Sequence, residues 1–69
     1  MEGNIIGKKL KELRTERKLS QRALGEVFGV CNQTVSFWEA GSREPDLDTL
    51  KSIANFFEVS TDYLLGLED

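Results

Sequence analysis

The polar side chains with the clearest chemical use lie together in one short stretch of the sequence. Asn32, Gln33 and Ser36 fall in the first half of a predicted helix, on positions that its apolar residues do not occupy. Carboxamides can form two hydrogen bonds with the edge of an adenine in the major groove of DNA, and hydroxyls bond to bases or phosphates. The stretch therefore has the chemistry of a nucleic-acid contact, and the alternative is a solvated helix start.

Catalytic and metal chemistry lack the residues that they need. The chain of 69 residues has no His and a single Cys, Cys31. The usual structural zinc sets and the catalytic groups that need imidazole are therefore out of reach. The carboxylates and hydroxyls form no set of base, nucleophile and pocket. We expect a protein that is not an enzyme and uses no cofactor or metal.

The sequence also indicates where the protein resides. A lone Cys cannot form an internal disulfide, and one free thiol fits a reducing compartment. The longest apolar run is only Tyr63 to Leu65, far shorter than the roughly 20 residues that span a bilayer. The first residues lack the apolar core of a signal peptide. We expect a cytoplasmic protein that is not associated with a membrane.

The charge is unevenly distributed along the chain. The net charge is −3. Residues 1–43 carry a charge of +3, from eight basic and five acidic side chains, whereas residues 44–69 carry −6, from one basic and seven acidic side chains. The first half is thus the part expected to meet a polyanion, and the acidic second half is expected to weaken non-specific binding to it.

Five short helices are predicted, and strand signals are nearly absent. The helices are expected at residues 5–18, at 21–28, from 31 or 32 to 40, from the Pro45-Asp46 pair through the apolar pattern of 47–57, and at 61–65. Asn4, Ser20, Asp46 and Ser60 are the predicted N-caps. We expect a single all-α domain over residues 1–69.

The second and third helices form a helix-turn-helix pattern over about residues 20–40. Gly25 lies where the two helices press together, and Gly29 lies where the turn needs a positive φ. The residues expected to face inward are Leu24, Phe28, Val30, Val35 and Trp38. The residues left facing outward on the second of these helices are Asn32, Gln33, Ser36, Phe37 and Ala40.

These motifs together resemble a known family. The residues that carry the resemblance are Leu19-Ser20-Gln21, Gly29-Val30, Gln33-Thr34-Val35-Ser36, Trp38-Glu39, Gly41, Pro45, Leu47, Thr49-Leu50, Ile53-Ala54, Val59-Ser60 and Asp62-Tyr63-Leu64-Leu65-Gly66. They are similar to those of the lambda-repressor-like, Cro-type (XRE family) helix-turn-helix domain, over about residues 5–67. The resemblance implies a compact five-helix domain whose third helix enters the major groove of double-stranded DNA, usually as a dimer on a pseudo-palindrome.

The resemblance also implies roles for particular residues. The expected DNA contacts are Gln21, Thr34, Ser42 and Arg43 with phosphates, and Asn32, Gln33 and Phe37 with base edges, with Ser36 beside them on the same outward face. Arg14 and Glu39 match a pair that forms an internal salt bridge between helices one and three.

The last helix carries more apolar surface than a short helix usually hides. Part of the set Tyr63, Leu64, Leu65 and Leu67 is expected to seal the core, and the remainder is a predicted dimer contact. A surface this small predicts a weak homodimer that DNA strengthens. Its two recognition helices would lie about 34 Å apart, one turn of B-DNA.

The sequence departs from the family at several positions. Cys31 replaces the usual Ser or Thr cap, so helix three is expected to be weakly capped or to start at Asn32; a plain small side chain and a redox-sensitive thiol are both open readings of it. Phe37 replaces a polar or basic residue and could contact a thymine methyl, a neighbouring helix or a protein.

The leading prediction is a sequence-specific, double-stranded DNA-binding transcriptional regulator that acts as a repressor. The resemblance implies a bacterial or phage-type protein that is associated with the nucleoid. The alternative is a protein-interaction module on the same fold, either antitoxin-like or an adaptor. Phe37, Ala40 and the acidic second half favour this alternative.

Overall fold

Five helices follow one another along the chain in the computed structural model, which describes residues 5–67. They are α1 (Ile5–Glu16), α2 (Gln21–Phe28), α3 (Asn32–Ala40), α4 (Leu47–Phe57) and α5 (Thr61–Leu64). Residues 5–67 contain no strand, so the predicted all-α architecture of five helices is confirmed. Within the same residues, no helix has the length and apolar character needed to cross a membrane.

Three of the helices begin at the side-chain caps that the sequence predicts. Ser20 accepts a hydrogen bond from the N–H of Ala23 at 2.9 Å, Asp46 from that of Thr49 at 2.8 Å, and Ser60 from that of Tyr63 at 3.0 Å. Each cap satisfies a backbone N–H that has no partner within its own helix. The predicted cap of α1, Asn4, lies outside the described residues.

Two helices end earlier than the sequence predicts. Helix α1 ends at Glu16 rather than at Lys18, because Lys18 takes a left-handed conformation with φ 59°. Helix α5 ends at Leu64 rather than at Leu65, and the chain then turns through Gly66 with φ 79°. A left-handed residue cannot continue a right-handed helix, so both turns stop their helices.

The hydrophobic core is shared by all five helices. Its buried members are Leu10, Leu24, Val35, Trp38, Leu50, Ile53, Ala54, Phe57 and Leu64. Helices of four to twelve residues are marginal in water by themselves and gain most of their stability from such packing. The position of α3 is therefore set by the core that Val35 and Trp38 enter.

Gly25 of α2 packs against the backbone of the turn that leads into α3, next to the helix that the sequence predicts as its neighbour. A Cβ atom at this position would lie 2.6 Å from the backbone oxygen of Val30. Gly29, at the end of α2, has the predicted positive φ of 73°. The absent side chain of Gly25 thus lets the turn pack closely, and Gly29 gives the turn its direction.

The apolar residues of the last helix and the turn after it divide between core and surface. Leu64 is completely buried, so it belongs to the part of the set that seals the core. Tyr63 is half-buried, and the Nζ atom of Lys9 lies 4.3 Å from its ring centroid. Leu65 is 40% exposed and Leu67 is 73% exposed. The apolar surface near this end of the chain is therefore smaller than the sequence indicates.

Candidate nucleic-acid interface

Helix α3 has one face in the core and one at the surface. Val35 and Trp38 are buried, whereas Asn32, Gln33 and Phe37 are exposed. Ser36 and Thr34 are half-buried. Side chains four residues apart lie on the same face of a helix, so the pairs Asn32–Ser36 and Gln33–Phe37 form one polar surface with an aromatic ring at its edge.

Cys31, the N-cap residue of α3, makes no capping hydrogen bond with its side chain. It has the extended backbone of an N-cap, with φ −80° and ψ 163°. Its Sγ atom instead lies 3.4 Å from the hydroxyl of Thr34, and this hydrogen bond lowers the pKa of the Cys31 thiol. The helix starts at Asn32, one of the two predicted positions, and the hydroxyl of Thr34 has a partner within the protein.

Arg14 joins α1 to α3. Its Nε atom donates to Oε2 of Glu39 at 2.6 Å, and its Nη2 atom donates to Oε1 of Glu39 at 3.1 Å. Its Nη1 atom donates to the carbonyl oxygen of Leu19 at 2.8 Å. The predicted salt bridge is thus confirmed, and it includes a backbone contact that the sequence does not indicate.

Gln21 completes this network from the start of α2. Its Nε2 atom donates to Oε1 of Glu39 at 3.0 Å. The family resemblance implies a phosphate contact for Gln21, and the sequence gives no sign of this bond, since the two residues lie 18 positions apart on different helices. We call Arg14, Gln21 and Glu39 the clamp. It ties the first two helices to α3 and so fixes the direction in which α3 presents its outer face.

The loop after α3 returns to the side of Phe37. Gly41 turns the chain with φ 82°. The backbone N–H groups of Ser42 and Arg43 both donate to the carbonyl oxygen of Phe37, at 3.0 and 3.3 Å. The Cζ atom of Arg43 lies 5.0 Å from the centroid of the Phe37 ring. The exposed residues Ser42 and Arg43 therefore stand next to the outer face of α3, although the sequence does not predict the stacking of Arg43 on Phe37.

The partly buried clamp, the close turn at Gly25 and the exposed polar face of α3 are together the features of a helix-turn-helix domain. A family model described as helix-turn-helix matches residues 10–64, and the chain belongs to this family, which is of the XRE type.

Several curated relatives are similar to this chain in sequence. The HTH-type transcriptional regulator ImmR of Bacillus subtilis is 41% identical over 64 residues, which are 93% of this chain and 50% of that protein. The HTH-type transcriptional activator BcrR of Enterococcus faecalis is 40% identical over 93% of this chain and 31% of that protein. The chain thus spans half or less of the length of these two relatives.

A solved structure shares its fold. The crystal structure of the P22 c2 repressor in complex with the synthetic operator 9T has a TM-score of 0.84 and 33% sequence identity, over 91% of this chain and 96% of that one. The repressor protein C2 is from Salmonella phage P22. The predicted lambda-repressor-like fold is confirmed, and the comparisons support the predicted class of function, DNA-binding transcription regulation.

Proposed function

We propose that this domain binds double-stranded DNA as part of a transcriptional regulator, with the outer face of α3 in the major groove. The observation that carries the proposal is the exposure of Asn32, Gln33 and Phe37 on a helix whose opposite face is locked into the core. A rigid helix can bring donors and acceptors to base edges without ordering a flexible loop. The likeness to a repressor that was solved in complex with an operator supports DNA binding by this fold.

The base-reading residues are those at the start of α3. Asn32 and Gln33 have carboxamides that match the donor and acceptor of an adenine edge. Ser36, one turn after Asn32, would complete this surface with its hydroxyl. These side chains supply the sequence preference of the domain.

The phosphate contacts surround these base-reading residues. Arg43 and Ser42 stand in the loop at the end of α3, and Thr34 and Gln21 stand near the starts of α3 and α2. A carboxamide nitrogen has two N–H donors, so Gln21 can hold Glu39 with one and a phosphate with the other. Phosphate contacts of this kind set the register of the protein on the duplex.

Two copies of the domain would bind the two halves of a pseudo-palindromic operator. The exposed Leu65 and Leu67, with the half-buried Tyr63, offer an apolar contact to a second copy. The patch is small, so the dimer is weak in solution, and two adjacent half-sites on one duplex bring the copies together. Such a complex, in the cytoplasm and on the nucleoid, would repress by covering a promoter.

The test is selection of a randomised duplex pool on the purified domain at low salt. The enriched duplex is then titrated at two salt concentrations. We expect a palindrome with half-sites about ten base pairs apart. The Gln33→Ala and Asn32→Ala variants should each lose about tenfold or more in affinity for it, because each bidentate contact contributes about 1–3 kcal/mol.

Asn55→Ala is the matched control. Asn55 carries an exposed carboxamide on α4, a helix that holds none of the proposed DNA contacts, so its removal should leave binding unchanged. A pool that yields no preferred sequence would contradict the proposal and favour the protein-interaction module on the same fold.

A further inference from the structure

Phe37 is an aromatic residue at the surface, with a cation on its ring. The Cζ atom of Arg43 lies 5.0 Å from the ring centroid, within the range of about 6 Å for a cation–π contact. Phe37 nevertheless stays 38% exposed. Arg43 thus covers part of the ring, and the rest of the ring can contact a molecule that binds to the outer face of α3.

The backbone holds the two residues in this relation. The carbonyl oxygen of Phe37 accepts hydrogen bonds from the N–H groups of Ser42 and Arg43. Gly41, in the left-handed conformation, makes this tight return of the chain possible. Because the start of the Arg43 side chain is fixed beside Phe37, the stack costs less side-chain entropy than a contact between two independent surface residues.

The major groove offers this ring few suitable partners. Base edges there present hydrogen-bond donors and acceptors, and the apolar exception is the C5 methyl of thymine. The Phe37 ring can neither donate nor accept a conventional hydrogen bond, so covering a polar edge would remove water from it without replacement. A thymine methyl is the group that the ring can cover with a gain in free energy.

We propose that Phe37 and Arg43 form one reading unit, an inference that rests on the proposed function. Phe37 covers the C5 methyl of one thymine in each half-site and so determines specificity at that base pair. Its ring also positions the Arg43 guanidinium for a phosphate of the adjoining backbone. Specificity and affinity are thereby coupled through a single stack at the end of α3.

Deoxyuridine gives a direct test of the methyl contact, because it differs from thymidine only by the absence of that methyl. The duplex recovered from the pool is synthesised with deoxyuridine at one thymidine position at a time. One position in each half-site should weaken binding of the unmodified protein about fourfold, the value of one buried methyl-sized group. In Phe37→Ala the same replacement should have no effect on affinity.

One further variant separates the effect of the aromatic ring from that of apolar bulk, and a second serves as a control. Phe37→Leu keeps an apolar side chain but has no aromatic face, so it should retain part of the sensitivity to the methyl. Leu47→Ala removes an apolar side chain that is 78% exposed at the start of α4. This matched control should show the full response to deoxyuridine.

The coupling is measured by combining Phe37→Leu with Arg43→Ala. Arg43→Ala alone should weaken binding and lower the slope of log affinity against log salt by about one. In the Phe37→Leu background, the affinity lost through Arg43→Ala should be smaller by about two- to fivefold, the worth of an exposed cation–π contact.

The outcomes distinguish this inference from the proposed function. A recovered operator on which every thymine tolerates deoxyuridine, or responds equally in Phe37→Ala, overturns the methyl contact and leaves the proposed function standing. Losses that simply add in the double variant overturn the coupling to Arg43. A selection that recovers no preferred sequence overturns both the proposed function and the inference that rests on it.

Discussion

Arg14 on α1 donates two hydrogen bonds to the carboxylate of Glu39 on α3, at 2.6 and 3.1 Å. The side chains are only 12% and 5% exposed. Gln21 donates to the same carboxylate from α2, so three helices converge on a single charged group. An ion pair removed from water in this way gives orientation more reliably than net stability, and the element that it orients is the helix with the exposed polar face.

Removing one partner of the clamp should be costly. Glu39→Ala leaves the guanidinium of Arg14 nearly buried without its carboxylate, and we expect a loss of about 3 kcal/mol in the free energy of unfolding. The double replacement Arg14→Met with Glu39→Leu should recover much of this loss, since no charge is then left unpaired. Urea denaturation measures both.

Arg22→Ala is the control for this comparison. The Nε atom of Arg22 lies 3.9 Å from a carboxylate oxygen of Glu26, and both side chains are mostly exposed. Surface pairs of this kind contribute little, so the stability should hardly change. An equal loss of unfolding free energy in Arg22→Ala and Glu39→Ala would show that the clamp matters no more to stability than a surface ion pair.

Gly25→Ala should disturb the joint between α2 and α3. The added Cβ would stand 2.6 Å from the backbone oxygen of Val30, so the turn must move, at a cost of about 1–3 kcal/mol. Gly29→Ala meets no atom within 4 Å but has φ 73°, which costs about 1 kcal/mol through backbone strain. Urea denaturation should rank Gly25→Ala as the less stable variant. Operator affinity, measured on the folded fraction, should fall for Gly25→Ala alone.

Acid should weaken α4 through its cap. Hydrogen bonds from the side chain and the backbone N–H of Thr49 lower the pKa of Asp46 below 3.8. As the pH falls, the unfolded chain therefore binds this proton first. The contribution of the cap is complete above pH 3.8 and is lost as the pH falls through the lower pKa of the folded state.

Asp46→Asn separates this titration from the cap itself, because the amide oxygen still accepts a hydrogen bond but takes up no proton in this range. Urea midpoints between about pH 6 and pH 2.5 should fall less steeply in Asp46→Asn than in the unmodified protein. Parallel pH profiles for the two proteins would show that folding does not lower the pKa of the Asp46 carboxyl group.

Cys31→Ser should stabilise α3. Cys31 has the backbone conformation of an N-cap, but its thiol caps no backbone N–H. A serine hydroxyl can do so, as Ser20 does at α2. The melting temperature should rise by a few degrees, and the reverse exchange, Ser20→Cys, should lower it. A fall in the melting temperature of Cys31→Ser would mean that the contact with Thr34 is worth more than a cap.

The sequence predicts both ends of α2 because a local signal marks each of them. Ser20 and Gly29 bound α2 at the predicted positions because a cap and a left-handed glycine act on their own neighbours. Lys18 also takes a left-handed conformation, but a lysine carries no local signal for it. The end of α1 therefore could not be predicted from its residues.

In the candidate site, too, some features could be predicted from the sequence and others could not. The period of α3 is sufficient to predict that Val35 faces inward and that Gln33 faces outward. The contact of Phe37 with Arg43 depends on the path of a loop, which no periodicity describes. Leu64 ends a helix of four residues and Leu65 follows it directly. So short a helix has no pattern that shows which of the two enters the core.

Disrupting the apolar patch after α5 should separate dimer formation from folding. Leu65→Lys and Leu67→Lys place charges on residues that are already exposed, so the free energy of unfolding should change little. If these residues contact a second copy, the combined variant should bind the full palindrome at least tenfold more weakly than the unmodified protein. It should bind a duplex with a single half-site equally well, because that complex needs one copy.

Leu47→Lys is the control for the effect of an added lysine, since it places one positive charge on an exposed leucine at the start of α4. Electrophoretic mobility shifts on the two duplexes, with sedimentation of the free proteins, measure the effect. Leu64→Ala should behave differently from all of these, because it empties a core position and should cost about 2–5 kcal/mol in stability. Equal binding of the palindrome by the combined variant and Leu47→Lys would place the dimer contact elsewhere on the domain.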